Sequence, residues 1–297
     1  MTRSFSFLVN PSSGGGAAPG AVVPVARLLR DAGAAVDVTY SPGPRATHDL
    51  VSGAVERGDV VVSVGGDGML SSIAGEVSRL GGTLGIVPAG RGNDFARMLE
   101  LPDEPDAVAR ILLDSVPTPT DLVRATLPDG TSHDVAGSVY AGVDAKTADL
   151  VNRMQWLPKK LQYPAATVRA LATFNAASYT VDVDGDSNDF AAATVVVANS
   201  GYYGKGMHIA PSASVDDGEL DVIVIEAAGR FDMIRSFPKV YDGRHIDLDQ
   251  VHVFRGRAIT LTSRPGVVMG GDGEPLGMLG DAPVRIEVLP GAVNILR

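Results

Sequence analysis

Val60-Val61-Val62-Ser63-Val64-Gly65-Gly66-Asp67-Gly68 is an apolar run that stops at glycines set around a single acid. β-Branched residues suit a pleated backbone, and the lack of polar alternation marks a strand buried on both faces. The stretch 69–80 that follows reads as a helix. Outward from this unit, 5–9 and 35–40 read as strands and 22–31 and 47–57 as helices. Further on, 84–87 is another short apolar strand and 93–99 opens another helix. Strands alternating with helices through short glycine-rich joints predict an α/β domain with a doubly wound, mostly parallel sheet. Beyond Pro117-Thr118-Pro119-Thr120 the texture changes to short alternating strands at 138–141, 179–183, 193–198, 220–225, 258–261 and 284–288, with one helical insertion near 159–175. This half is expected to be an antiparallel β-sandwich. The expected domains are 1–121 and 122–297, and the last segment is left open to pack back on the first domain.

The chain has 297 residues, 45% hydrophobic and 20% charged, which is ordinary for a globular protein. It has no cysteine, so a disulfide framework, a thiolate zinc site and a thiol nucleophile are excluded. A net charge of −10 argues against a nucleic-acid partner. No apolar stretch approaches the ~18 residues that a spanning helix needs, and no signal-peptide pattern opens the chain. A cytoplasmic location follows as the expectation.

In Gly65-Gly66-Asp67-Gly68, glycine lets the backbone approach phosphate closely, and the N–H groups opening the next helix favour an anion. Asp67 would repel that anion unless Mg²⁺ stood between them. A tight turn between strand and helix accounts for the same residues equally well. A second joint, Pro88-Ala89-Gly90-Arg91-Gly92-Asn93-Asp94, again links strand to helix, with Asn93 and Asp94 also readable as a plain N-cap. A third, Asn10-Pro11-Ser12-Ser13-Gly14, follows the first strand. All three would lie at one edge of a parallel sheet, where α/β proteins bind ligands.

The succession Asn10-Pro11…Ser13-Gly14, Gly65–Gly68, and Pro88…Gly92-Asn93-Asp94-Phe95-Ala96-Arg97 resembles the diacylglycerol kinase catalytic domain, in a family that includes sphingosine, ceramide and bacterial lipid kinases. The stretches 199–213, 216–221 and Gly271-Asp272-Gly273-Glu274 resemble the bacterial branch. The resemblance runs in order over nearly the whole chain. It implies transfer of the ATP γ-phosphoryl group to a lipid hydroxyl, most simply diacylglycerol giving phosphatidic acid. It also implies a nucleotide site at Asn10, Pro11, Ser13, Gly14, Gly65, Gly66, Asp67, Gly68, Gly90, Gly92 and Asn93. Asp272 matches a general base, accompanied by Glu274. Asp67, Asp94 and Asp121 match acids around the catalytic Mg²⁺. Asp217, with the backbone carbonyls of Ser214 and Glu219, matches a structural Mg²⁺ site. Without the resemblance, 271–274 would read as a hairpin turn and Asp121 as an ordinary acid at a strand start.

Met69, Leu70, Ser71 and Ser72 stand where the family commonly has Thr and then Asn-Glu. Arg91 replaces a small or hydroxyl residue, and either contacts phosphate or points to solvent. The segment 156–160 sets the single tryptophan beside Lys159 and Lys160, which suits either a membrane interface or a packed helix with solvated lysines. Contact with the membrane is therefore expected to be peripheral, at its inner face, and a homodimer is left open. A kinase acting on a soluble substrate, like an NAD kinase, shares Gly-Gly-Asp-Gly but lacks the 271–274 and 210–218 blocks. A non-catalytic lipid-binding relative would be expected to have lost an acid.

Overall fold

The computed structural model describes residues 3–41, 43, 46–143, 165–166, 169–170 and 176–297. The first half runs β1 (Ser4–Val9), α1 (Ala18–Asp31), β2 (Ala35–Tyr40), α2 (Thr47–Glu56), β3 (Val60–Gly65), α3 (Asp67–Leu80), β4 (Thr83–Pro88), α4 (Asp94–Met98) and α5 (Pro105–Asp114). Strands β2, β1, β3 and β4 lie side by side and all pair in parallel. Along β3 the side chains alternate between two cores. Val61 meets Leu70, Ile73 and Val77 of α3 on one face, and Val60, Val62 and Val64 meet Val22, Val25 and Leu29 of α1 on the other. Every residue of β3 is buried, as the unbroken valine run requires. Each such valine withdrawn from water is worth roughly 1.5–3 kcal/mol. Gly66 caps α3 in an extended conformation and Gly81 ends it with φ +68°, the left-handed geometry that a helix stop needs.

The second half is β5 (Pro117–Thr126), β6 (Ser132–Val135), β7 (Ser138–Gly142), β8 (Ala177–Val183), β9 (Asp186–Ala198), β10 (Tyr202–Tyr203), β11 (Met207–His208) and β12 (Leu220–Glu226). After α6 (Arg230–Ser236) come β13 (Val251–Gly256), β14 (Ala258–Arg264), β15 (Val267–Gly271), β16 (Glu274–Leu279) and β17 (Val284–Leu296). These strands form an antiparallel, sandwich-like β domain. Along β9, Val195 and Val197 enter one apolar core and Val196 and Ala198 enter another.

Strand β17 joins the two sheets. Its first part pairs antiparallel with β14, and near its end Asn294 and Ile295 pair in parallel with Thr83 and Leu84 of β4. On its other side it pairs with β5, which crosses residue 121 without a break. Two prolines stand in β5 because β6 reaches only 123–126, so the Pro117–Pro119 part is an edge with no ladder on its far side. Strands β8 and β9 form a hairpin that turns at Asp184 and Gly185. The segment 156–160 lies outside the described residues. Of the helix expected at 159–175, only 165–166 and 169–170 are described, and both pairs are helical.

Candidate active site

The ends of β1, β3 and β4 bring the three glycine-rich joints to one edge of the parallel sheet. Gly14 lies against the Ala89 carbonyl, where a Cβ would come within 2.6 Å of the oxygen. Gly90 lies on Gly66 so closely that a Cβ there would meet the Gly66 Cα at 2.5 Å. Glycine at 14 and at 90 therefore lets the three joints pack on one another.

Asp67, in the first turn of α3, accepts the Phe95 N–H on Oδ1 at 3.1 Å and so ties α3 to α4. Asp94, buried at the start of α4, accepts the N–H groups of Lys205 and Gly206, each at 2.7 Å. The two carboxylates converge. A Cβ on Gly92 would sit 3.1 Å from Asp67 Oδ2 and 3.2 Å from Asp94 Oδ2. Burial, first, and the charge of Asp67, second, push the Asp94 carboxyl up to about 6. Burial likewise raises Asp67. Two acids held together against repulsion offer hard oxygen donors, and Mg²⁺ typically takes one or two carboxylates beside substrate phosphates. The donor set thus fits that ion.

Asp272 arrives from the other half of the chain. It and Gly273 form the turn between β15 and β16, with φ +45° and +89°, the double positive φ of a type I′ hairpin. The hairpin reading and the catalytic reading of 271–274 therefore describe one object, because the turn presents the acid. Its Oδ2 accepts the Ser71 hydroxyl and the Gly137 N–H (2.8 Å), and its Oδ1 accepts the Ser138 N–H (2.9 Å). Enclosure of the carboxylate, chiefly, raises its pKa to about 6 despite those donors, and the charge of Asp67 adds to the rise. Glu274 lies across Gly68, its Oε1 2.8 Å from where a Cβ would stand. Asp67, Asp94, Asp272 and Glu274 line one cavity of about 360 Å³ together with Gly66, Gly92, Arg91, Tyr203 and Lys205.

Residues 4–125 match the family described as diacylglycerol kinase catalytic domain, and residues 137–297 match that described as YegS C-terminal NAD kinase beta sandwich-like domain. A diacylglycerol kinase of Mycobacterium tuberculosis (strain ATCC 25618 / H37Rv) is 33% identical over 296 residues, covering 98% of this chain and 94% of that protein.

The chain belongs to the diacylglycerol kinase family.

A second member, a diacylglycerol kinase of Bacillus subtilis (strain 168), is 24% identical over 238 residues, covering 79% of this chain and 77% of its own. The fold is shared with the crystal structure of a diacylglycerol kinase from Bacillus anthracis str. Sterne, at a TM-score of 0.71 and 18% identity over 99% of this chain and 96% of that one.

At two of the expected metal sites the carboxylates have other partners. Asp121 is held by backbone N–H groups. Its carboxylate accepts the N–H groups of Gly218 (2.7 Å) and Gly291 (2.6 Å), and it is buried away from the acid-lined cavity. Gly291 sits where the β5–β17 ladder breaks between Leu289 and Val293, so Asp121 fills the gap that the break leaves. At the expected structural Mg²⁺ site, the Asp217 carboxylate is ion-paired with Arg255, whose Nε also lies 3.3 Å from Glu219, and the Ser214 hydroxyl donates to Asp216. A guanidinium supplies the positive charge there.

Asn10 closes its own turn by accepting the Ser12 N–H at 3.0 Å, and Asn93 accepts the Gly90 N–H at 2.7 Å. Asn10, Pro11, Ser13 and Gly14 do not line the acid cavity, whereas Gly66 and Gly92 do. Ser71, Gly137, Ser138, Tyr203 and Lys205 were not read from the sequence as site residues. Ser71 carried one signal, its place within the break of the family pattern at 69–72.

Proposed function

We propose that this chain is an ATP-dependent lipid kinase that transfers the γ-phosphoryl group to the hydroxyl of diacylglycerol, giving phosphatidic acid. The observation that carries this reading is the position of Tyr203. It walls the acid-lined cavity on one side and, on the other, an apolar cavity of about 70 Å³ bounded by Val143, Met207, Ile209, Phe237 and Val251. A substrate with a hydroxyl head and an apolar body suits this arrangement, the smaller cavity taking in only part of an acyl chain.

Asp272 acts as general base. A carboxyl with a pKa near 6 is mostly ionised at neutral pH yet basic enough to take a proton from an attacking hydroxyl. Ser71, Gly137 and Ser138 fix its orientation, and Glu274 stands beside it. Asp67 and Asp94 would hold Mg²⁺, which when bound neutralises charge on the phosphoryl group in transfer. The loops at Gly66, Gly90 and Gly92 let the phosphates approach the backbone. No described helix is long and apolar enough to cross a membrane, and we place the enzyme in the cytoplasm, visiting the inner membrane face.

The test is an assay of purified protein with labelled ATP and Mg²⁺ against dispersed diacylglycerol, monoacylglycerol, ceramide, sphingosine and phosphatidylglycerol, with NAD as the soluble acceptor. Label is expected in diacylglycerol. Label in NAD, or in no acceptor, would overturn the reading.

A further inference from the structure

Lys205 occupies a backbone position that suits glycine. The run Gly204-Lys205-Gly206 has φ values of +59°, +70° and +91°, so three successive residues are left-handed and only the middle one carries a side chain. The backbone task of this loop is met without that side chain, since the Lys205 and Gly206 N–H groups are what bind Asp94. A lysine in a conformation that L-residues rarely adopt points to a use for its ammonium. That group lines the acid cavity beside Arg91, which comes from the Gly90–Gly92 joint in the other half of the chain.

We propose that Arg91 and Lys205 form a two-cation clamp that grips the phosphate chain of the nucleotide, one cation from each half of the molecule. This deepens the kinase reading and rests on it for the identity of the anion. A nucleoside triphosphate on Mg²⁺ still carries net negative charge on oxygens that the metal does not hold. The acids of this cavity repel those oxygens, so Arg91 and Lys205 are the groups there that attract them. Arg91 thereby takes the phosphate-contacting role, and the clamp gives the nucleotide a means of drawing the halves together.

Lys205→Gly and Arg91→Ser separate this role from structure, because glycine keeps both N–H bonds to Asp94 and relieves the left-handed backbone. ATP affinity measured by calorimetry should fall about tenfold or more in each variant, as loss of a charge-assisted contact predicts. The double variant should lose less than the product of the two, because both cations hold one group. The KM for ATP should rise while that for diacylglycerol stays, and Lys205→Gly should melt at or above the wild-type temperature. ATP affinity within about twofold of wild type in both single variants would overturn the clamp. So would a loss confined to binding of a short-chain diacylglycerol phosphate, which would assign the cations to the product headgroup. If the wild-type chain phosphorylates no lipid yet the variants lose ATP affinity, the clamp stands and the lipid-kinase reading falls.

Discussion

The backbone N–H of Gly137 donates to Oδ2 of Asp272 at 2.8 Å across a sequence separation of 135 residues. The contact is tight enough that a Cβ on Gly137 would come within 2.5 Å of the other carboxylate oxygen. It exists because β7 pairs with β15, setting Val139 opposite Gly271 and so the entrance of one strand beside the exit of the other. The acid is therefore aimed by a sheet register rather than by a mobile loop, and the adjacent Ser138 N–H fixes its second oxygen.

Asp272→Asn should fold and bind ATP but lose about 10²–10⁴-fold in turnover, the usual worth of a positioned base. Asparagine suits the backbone there because it tolerates φ +45° better than other uncharged substitutes, although its NH₂ must face the Gly137 or the Ser138 N–H at about 1–3 kcal/mol of stability. In the wild type, turnover should fall as pH drops through about 6, since only the ionised carboxylate accepts a proton. The stability sign is opposite. A carboxyl raised above its ordinary value favours its proton in the folded state, so its contribution declines as pH rises from the usual carboxylate range through about 6 and then levels. Turnover of the variant within about threefold of wild type would remove Asp272 from the chemistry.

Ser71→Ala tests the support of that acid. The Ser71 hydroxyl donates to Asp272 and accepts the buried Ala136 N–H at 3.0 Å. Its loss should cost about 1–3 kcal/mol by leaving that N–H unpaired. It should also move the acid limb of the pH–rate profile upward, because a donor that favours the ionised form is gone. A lower melting point with an unmoved pH profile would make Ser71 purely structural.

Much of the fold was legible because physics repeats locally. The valine run at 60–64 had to be buried on both faces, and the glycine joints had to be turns. What was not legible depends on distant partners. Strand β5 passes through Pro117 and Pro119, which look like a linker until β17 and an open edge are seen beside them. The site divides in the same way. Asp67, Asp94 and Asp272 were readable as acids in glycine-rich turns, but Gly137 and Ser138 contribute only N–H groups, which leave no mark on the sequence. Asp121 and Asp217 keep two readings in the sequence, because a carboxylate looks the same whether it faces a cation, an arginine or two amides.

Asp121→Asn should lower the melting temperature by the equivalent of about 1–3 kcal/mol, because an amide accepts from one N–H and turns its own NH₂ on the other. The magnesium dependence of turnover should stay as in wild type. A shifted magnesium requirement at unchanged melting would return Asp121 to the metal network.

Arg255 is ion-paired with Asp217, where a structural cation is expected. Thermal melting without nucleotide should therefore respond to magnesium equally in wild type and in Asp217→Ala. Arg255→Ala, which leaves Asp217, Glu219 and Asp221 facing one another, should be the less stable variant. A magnesium-dependent rise in melting that Asp217→Ala abolishes would restore the structural metal, since an ion that binds only the native state stabilises it by mass action.

Asp67 offers the sharpest separation of charge from structure. Its Oδ1 caps α4 through the Phe95 N–H, while its Oδ2 faces Asp94 over Gly92. Asp67→Asn keeps an oxygen for the cap and removes the charge. With that charge gone, the Asp94 carboxyl should fall back toward its ordinary value, because Asp67 is one cause of its rise. If the pair exists to hold Mg²⁺, phosphoryl transfer should be lost at ordinary magnesium and recover in part as magnesium is raised. ATP binding measured with a chelator present should hold or tighten, since a carboxylate that repelled phosphate has become neutral. If chelated binding instead collapses while the magnesium requirement of residual turnover stays as in wild type, Asp67 serves the nucleotide loop alone and the metal is held by Asp94 without it.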